Sequence, residues 1–163
     1  MLVIVDMQNH ILDPESKYYV QHADKLIKQI HSRLEAARKK NEYILFTKDI
    51  PVERKEQDEE GEDLQIIPTL APKENEKVVK KYYFTMPPES LLEIKQEAFD
   101  QDEKEKHIEV VGTETNLCVL SNTIALQSVF PEADFLVDTA FISENKHGDQ
   151  ALKLLKDFNV ELK

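Results

Sequence analysis

The chain contains few of the residues that disulfide-bonded and phosphate-binding proteins need. Its 163 residues include one cysteine and only 3 glycines. A single cysteine cannot form an internal disulfide. No GxGxxG or P-loop pattern follows any apolar run, so a glycine-rich loop that cradles phosphate is not expected. A nucleotide-binding enzyme is therefore disfavoured.

Long apolar runs and positive charge are also scarce. The N-terminal segment MLVIVDMQNH is too short an apolar run for a signal peptide or a membrane span, so we expect a soluble, cytoplasmic chain with no membrane partner. The formal net charge of -11 at pH 7 repels phosphate backbones, so nucleic acid is not an expected partner. Two acidic runs, at residues 52–63 and 99–106, are expected to be solvated loops without a functional role.

The chain does contain a regular alternation of apolar runs and amphipathic segments. Runs rich in β-branched residues predict buried strands at residues 2–6, 43–47, 77–81, 108–112 and 134–138. Helical spacing predicts helices from residue 23 to near residue 41, and over residues 87–99, 116–130 and 148–158. Apolar strands joined by helices are typical of a mostly parallel sheet covered on both faces. We predict a three-layer α/β/α fold and, from the chain length, a single domain over residues 1–163.

Three reactive residues fall at one edge of the predicted sheet. Asp6 ends the first strand, Lys81 ends the third, and Cys118 follows the fourth at the opening of a helix. Ligand sites of such sheets lie beyond the carboxyl ends of the strands, so these side chains are expected to converge. A helix N-terminus and a lysine favour the thiolate, and a carboxylate can relay the thiol proton to a leaving amine. Alternatively, Cys118 is a small core residue, Asp6 a strand-end cap and Lys81 a surface charge.

Four segments occur in the order of a known family: DMQN at 6–9, VVKK at 78–81, GTETNLCV at 112–119 and DTAFIS at 138–143. Together they resemble the isochorismatase-like cysteine hydrolases over nearly the whole chain. The resemblance implies a Rossmann-like sheet of about six strands and a homo-oligomer. It also implies a triad, here Asp6, Lys81 and Cys118, that hydrolyses small amides through a thioester.

The resemblance further implies a cis peptide bond between Thr113 and Glu114. The backbone N–H groups of Glu114 and Cys118 then form an oxyanion hole, which stabilises a tetrahedral intermediate. The alternative is an ordinary trans turn capped by Thr115.

Two adjacent lysines compete for the inward position on the third strand, because neighbours on a strand point to opposite faces. The resemblance implies a spacing between the two valines of VVKK and the inward lysine, and this spacing favours Lys81. Lys80 is then expected to lie over solvent or a helix face.

The chain departs from the nicotinamidases of this family, which carry a metal-binding cluster of Asp and His after the second strand. The segment TKDIP at 47–51 keeps Asp49, but no histidine occurs between His31 and His107. A single carboxylate is a poor site for a transition metal. We therefore predict no bound metal, disfavour nicotinamidase activity, and expect Asp49 to be a loop residue.

The residues after DMQN also depart from the family, whose members usually have an acidic residue and then Phe. This chain has His10 and Ile11, so an aromatic wall is missing there. Both are candidate substrate contacts, as is Tyr83 in the aromatic segment that follows Lys81. The alternatives are a solvated histidine and aromatic core packing.

The leading hypothesis is a hydrolase of a small carboxamide or related C–N bond that uses no cofactor. Asp6 takes the thiol proton, Cys118 attacks, Lys81 stabilises the charges, and water cleaves the thioester. One alternative is an isochorismatase-type vinyl ether hydrolase, although such relatives typically lack the cysteine. Another is a non-catalytic small-molecule-binding protein. A thiolate populated well below the free-thiol pKa of about 8.5 is expected of the hydrolase only.

Overall fold

A parallel sheet forms the centre of the computed structural model, which describes residues 1–100, 104–143 and 146–163. Its six strands are β1 (Leu2–Val5), β2 (Ile44–Asp49), β3 (Lys77–Lys81), β4 (His107–Gly112), β5 (Asp134–Val137) and β6 (Glu161–Leu162). Their order in the sheet is β3-β2-β1-β4-β5-β6, and every neighbouring pair is parallel. The strand order therefore reverses beside β1, which is where such sheets place their ligand sites.

Helices cover both faces of this sheet. They are α1 (Ala23–Lys39), α2 (Pro88–Glu97), α3 (Leu120–Val129) and α4 (Gly148–Asp157). Shorter 3-10 turns cover Asn9–Leu12, Val52–Arg54, Glu62–Leu64, Pro68–Leu70 and Thr139–Phe141, and a π-helical turn covers Thr115–Val119. The predicted α/β fold with three layers is confirmed. No helix among the described residues is long and apolar enough to cross a membrane.

The continuous apolar run of β1 is explained by burial on both sides. Leu2 and Ile4 pack in one core cluster with α1, whereas Val3 and Val5 pack in a second cluster with α2, α3 and α4. All four side chains are fully buried. Because successive side chains of a strand point to opposite faces, a strand between two helical layers needs an apolar residue at every position.

Several predicted boundaries differ from the observed ones. Strand β2 runs to Asp49, two residues beyond the predicted end. The helix that carries Cys118 begins as the π-helical turn before α3. Helix α1 ends at Lys39, and Asn41 takes the left-handed conformation (φ 54°) that often terminates helices. Strand β6 has two residues, too few to produce a recognisable apolar run.

The two acidic runs are largely exposed where they can be described, as predicted, but each also makes a specific contact. Most of residues 52–63 are exposed, but Glu59 and Glu60 pair with Lys80 at 2.8 and 2.6 Å. In the run 99–106, Phe99 packs edge-on against Phe130 with 5.3 Å between ring centroids. Residues 101–103 of that run lie outside the described residues.

Candidate active site

Asp6 follows β1 directly and is held by hydrogen bonds from neighbouring strands. Its backbone is left-handed (φ 51°), a conformation that Asp tolerates better than most residues. Thr47 Oγ1 donates to Asp6 Oδ1 at 2.6 Å and accepts from Asp6 N at 3.2 Å. Thr113 Oγ1 donates to the Asp6 carbonyl at 3.1 Å. The carboxylate is thus buried and fixed at the carboxyl edge of the sheet.

Lys81 ends β3, and its fully buried ammonium joins the reactive groups. Nζ donates to Asp49 Oδ1 at 2.7 Å, to the Tyr83 carbonyl at 3.1 Å and to Cys118 Sγ at 3.3 Å. These bonds use all three ammonium hydrogens. Nζ also forms an ion pair with Asp6 Oδ2 at 2.8 Å.

The charges around Lys81 keep it protonated. Burial by itself acts to lower the pKa of Lys81. The negative charges of Asp6, of the Cys118 thiolate form and of Asp49 outweigh burial and raise that pKa above its ordinary value. The neighbouring Lys80 points away and pairs with Glu59, so the strand geometry favours Lys81 as the inward lysine.

The expectation that Asp49 is a loop residue is wrong. Asp49 ends β2, and its carboxylate contacts the ammonium of Lys81. Its backbone is held by the buried side chain of Gln8, whose Oε1 accepts from Asp49 N at 2.8 Å and whose Nε2 donates to Asp49 O at 3.0 Å. The same Nε2 donates to the Leu64 carbonyl at 2.8 Å, so Gln8 connects the end of β2 to the 3-10 turn Glu62–Leu64.

Cys118 lies in the π-helical turn Thr115–Val119 and is 5% exposed. The buried Asn122, one turn later, donates from Nδ2 to the Cys118 carbonyl at 2.7 Å and to the Phe84 carbonyl at 3.0 Å. Its Oδ1 accepts from Met86 N at 2.9 Å. Asn122 therefore connects the cysteine-bearing turn to the segment that follows Lys81.

The chain enters this turn through Gly112 and a cis peptide bond. At Gly112 (φ 121°), a Cβ atom would lie 2.2 Å from the Val5 carbonyl oxygen, so only glycine lets β4 end against β1. The Thr113–Glu114 bond is cis, as the resemblance implies, and the trans alternative is wrong. Glu114 then precedes the helical turn, with its side chain at the site.

The surroundings of Cys118 favour its neutral thiol. Burial, followed by the negative charge of Asp6, raises the pKa of Cys118, and the opposing effect of Lys81 is smaller. Lys81 acts to favour the thiolate, as the sequence analysis expected, but burial and Asp6 outweigh it. The populated thiolate expected of a hydrolase is therefore not favoured here, and any attack by sulfur must begin from the thiol. A neutral thiol must lose its proton when it attacks, and the Asp6 carboxylate, which pairs with the same Lys81 ammonium, is the nearby acceptor.

A small cavity of about 20 Å³ opens onto these groups, enough for about one water molecule. His10, Ile11, Tyr18 and Glu114 line it together with Asp6 and Cys118. The rings of His10 and Tyr18 are 4.8 Å apart. The structure thus places His10 and Ile11 at the site and supplies an aromatic wall from Tyr18, which the sequence analysis did not identify.

Tyr83 does not line this cavity. Its side chain is 72% exposed, and only its carbonyl oxygen reaches Lys81. The structure thus places the Tyr83 side chain outside this cavity, and its role as a substrate contact stays a prediction. The polypeptide turns outward after β3, which sends the ring to the surface beside Phe84.

The residues near Asp49 do not fit the metal site of the nicotinamidases. The Asp49 carboxylate is already paired with Lys81, and Ile50 beside it is a buried apolar residue. Within residues 1–100, 104–143 and 146–163, no group of three or more His, Cys, Asp or Glu side chains is arranged to hold a metal ion. Metal independence stays a prediction.

The fold and this site define a class of α/β protein with aspartate, lysine and cysteine at the carboxyl ends of its strands. An isochorismatase domain model matches residues 1–127. The chain therefore belongs to the isochorismatase-like hydrolase family, which confirms the resemblance. No curated protein sequence matches it.

Solved structures share the fold at low sequence identity. An isochorismatase-like hydrolase from Alkaliphilus metalliredigens is 16% identical with a TM-score of 0.78, over 99% of this chain and 92% of that one. A pyrazinamidase of Pyrococcus horikoshii in complex with zinc is 14% identical with a TM-score of 0.80, over 99% and 97%. An N-carbamoylsarcosine amidase from Thermoplasma acidophilum is 12% identical with a TM-score of 0.75, over 99% and 94%.

Proposed function

We propose that the protein is a cysteine hydrolase that cleaves a small carboxamide or a related C–N bond through a thioester on Cys118. One observation carries this proposal: the buried Lys81 ammonium lies 3.3 Å from Cys118 Sγ and 2.8 Å from Asp6 Oδ2. A nucleophile, a proton acceptor and a fixed positive charge thus meet at one cavity. The pyrazinamidase and the amidase among the structural neighbours support an amide as the bond type.

In the proposed acylation, Asp6 Oδ2 accepts the thiol proton while Sγ forms a bond to the carbonyl carbon. The carbonyl π electrons move to oxygen, and the negative oxygen is received by the backbone N–H groups of Glu114 and Cys118. When the intermediate collapses, the C–N bond breaks and the protonated Asp6 returns its proton to the leaving nitrogen. Ammonia or an amine departs, and a thioester remains.

Deacylation repeats these steps with water. Asp6 removes a proton from water, the resulting oxygen nucleophile attacks the thioester carbon, and the C–S bond breaks. The thiolate recovers the proton from Asp6, and a carboxylic acid leaves. Lys81 stays charged throughout and stabilises the thiolate each time it forms.

The test is release of ammonia or amine across a panel of small carboxamides, by the parent protein and by Cys118→Ala. The substitution removes the nucleophile but little buried volume, so we expect loss of turnover with an unchanged circular dichroism spectrum. Because the chain has one cysteine, a substrate-derived adduct found by mass spectrometry after acid quenching reports Cys118 alone. Turnover by Cys118→Ala comparable to that of the parent would refute the mechanism.

The remaining expectations need separate measurements. A homo-oligomer is proposed from the family resemblance alone, and sedimentation equilibrium measures it directly. The absence of a cofactor likewise stays a prediction.

A further inference from the structure

Glu114 lines the cavity, and its carboxyl group has no partner among the described residues. It is half-buried, and no described residue forms a hydrogen bond or ion pair with its carboxyl group. Burial, followed by the negative charges of Asp6 and Asp49, raises the pKa of Glu114. A carboxyl group in this position gains stability from a positively charged neighbour, and none of the residues that the structure describes supplies one in contact with it.

The positive charge of Lys81 is already paired with carboxylates other than Glu114. Lys81 lies 2.8 Å from Asp6 and 2.7 Å from Asp49, so its single charge is shared between two carboxylates. The next cation, Lys17, lies outside the cavity, with its ammonium 4.7 Å from the centre of the Tyr18 ring. Both lysines act to lower the pKa of Glu114, but neither contacts its carboxyl group. Ionised Glu114 therefore adds negative charge that no contacting cation among the described residues offsets.

Negatively charged residues also line the approach to the site. An open cavity of about 580 Å³ shares His10 with the site and is lined by Asp13, Glu62 and Asp63. Arg54 pairs with Asp63 at 2.6 Å, but no described cation pairs with Asp13 or Glu62. Carboxylates at the entrance repel an approaching anion and attract a cation.

We propose that the substrate of this site is a small amide that carries a positively charged ammonium or amidinium group, and that Glu114 is the carboxylate that binds this group. The amide part of the proposal rests on the proposed function, whereas the charge part rests on Glu114 and the acidic entrance. A charge-assisted hydrogen bond in a partly desolvated site discriminates between substrates of equal size. Substrates that carry a carboxylate are disfavoured.

The test compares three amides of similar size: β-alaninamide as the cation, butyramide as its neutral isostere and malonamate as the anion. Turnover is measured as kcat/KM, and binding is measured separately as protection of Cys118 from alkylation. Each is measured for the parent, for Glu114→Gln and for Asp157→Asn. Asp157 is an exposed acid at the end of α4, so the control makes the same change of charge away from the site.

We expect the parent to prefer β-alaninamide over butyramide, and malonamate to rank last in both assays. Glu114→Gln should reduce the preference for the cation about tenfold or more, the effect of losing one charge-assisted hydrogen bond, whereas Asp157→Asn should leave that preference unchanged. Equal or better use of malonamate, or a preference that Glu114→Gln does not alter, would overturn the proposal.

The two assays separate this proposal from the proposed function. Preferential protection of Cys118 by β-alaninamide without turnover would support cation binding and count against hydrolysis. Turnover that requires Cys118 but is equal for the cationic, neutral and anionic amides would support hydrolysis and overturn cation binding. If none of the three amides protects Cys118 and none is turned over, the proposed cation binding at this site is wrong.

Discussion

Replacement of Lys81 by Met should strongly destabilise the protein, because it leaves the buried carboxylate of Asp6 and the partly buried carboxylate of Asp49 without their counter-charge. Asp6 Oδ2 and Asp49 Oδ1 lie 2.8 and 2.7 Å from the Lys81 ammonium, which is completely buried. Removal of one partner from a buried ion pair costs about 3–5 kcal/mol. That is a large share of the roughly 5–15 kcal/mol by which a domain is stable.

Urea unfolding at pH 7 measures this effect. With a slope of about 2 kcal/mol per molar urea, a loss of about 4 kcal/mol lowers the unfolding midpoint by about 2 M. The matched control is Lys80→Met, the same substitution one residue earlier. The Lys80 side chain is 37% exposed and pairs with surface carboxylates, so its removal should change the midpoint little.

The double variant Lys81→Met/Asp6→Asn tests the cause of the loss. Asn has nearly the size of Asp and carries no charge, so the double variant should recover part of the stability that Lys81→Met loses. Equal midpoint shifts for Lys80→Met and Lys81→Met would refute the reasoning. A double variant no more stable than the sum of its single changes would refute it as well.

Three further outcomes are expected. Asp6→Asn removes a charge that raises the pKa of the Cys118 thiol. The pH profile of Cys118 alkylation should therefore move to lower pH, while amide turnover falls. An unmoved profile would contradict the conclusion that Asp6 raises this pKa. Burial acts to raise the pKa of Glu76, but hydrogen bonds from Arg38 outweigh burial and lower it. This stabilisation is present above the unfolded pKa of about 4.3 and disappears as pH falls through the folded value, so Glu76→Gln should destabilise more at pH 7 than at pH 3 in urea titrations. Tyr18→Ala should open the small cavity and speed alkylation of Cys118 by a bulky maleimide, whereas an unchanged rate would show that Tyr18 does not restrict access.

Much of the fold follows from local patterns in the sequence. Strand β1 has an apolar residue at every position because both of its faces are covered, and the amphipathic helices repeat at the helical period. In a parallel sheet, the residues at the carboxyl ends of strands share one edge. The convergence of Asp6, Lys81 and Cys118 could therefore be predicted before any distance was known.

The surroundings of these residues could not be predicted in the same way. Thr47 and Asn122 are buried polar residues that position Asp6 and the cysteine-bearing turn, and neither breaks the pattern of its strand or helix visibly. Tyr18 lies in a loop without periodicity, and its contact with His10 depends on how that loop folds back. Asp49 was misplaced because β2 extends two residues beyond its apolar run.

The ion pair with Asp49 explains how Lys81 can stay charged both in the resting site and during the proposed reaction. In the resting site, Lys81 lies between two carboxylates and a neutral thiol. When the thiol proton moves to Asp6, one negative charge disappears from the carboxylate and one appears on sulfur, 3.3 Å from the same ammonium. The net charge around Lys81 is therefore unchanged. Asp49 takes no part in this proton transfer, so it remains a negative partner that favours the charged form of Lys81 on both sides of the step.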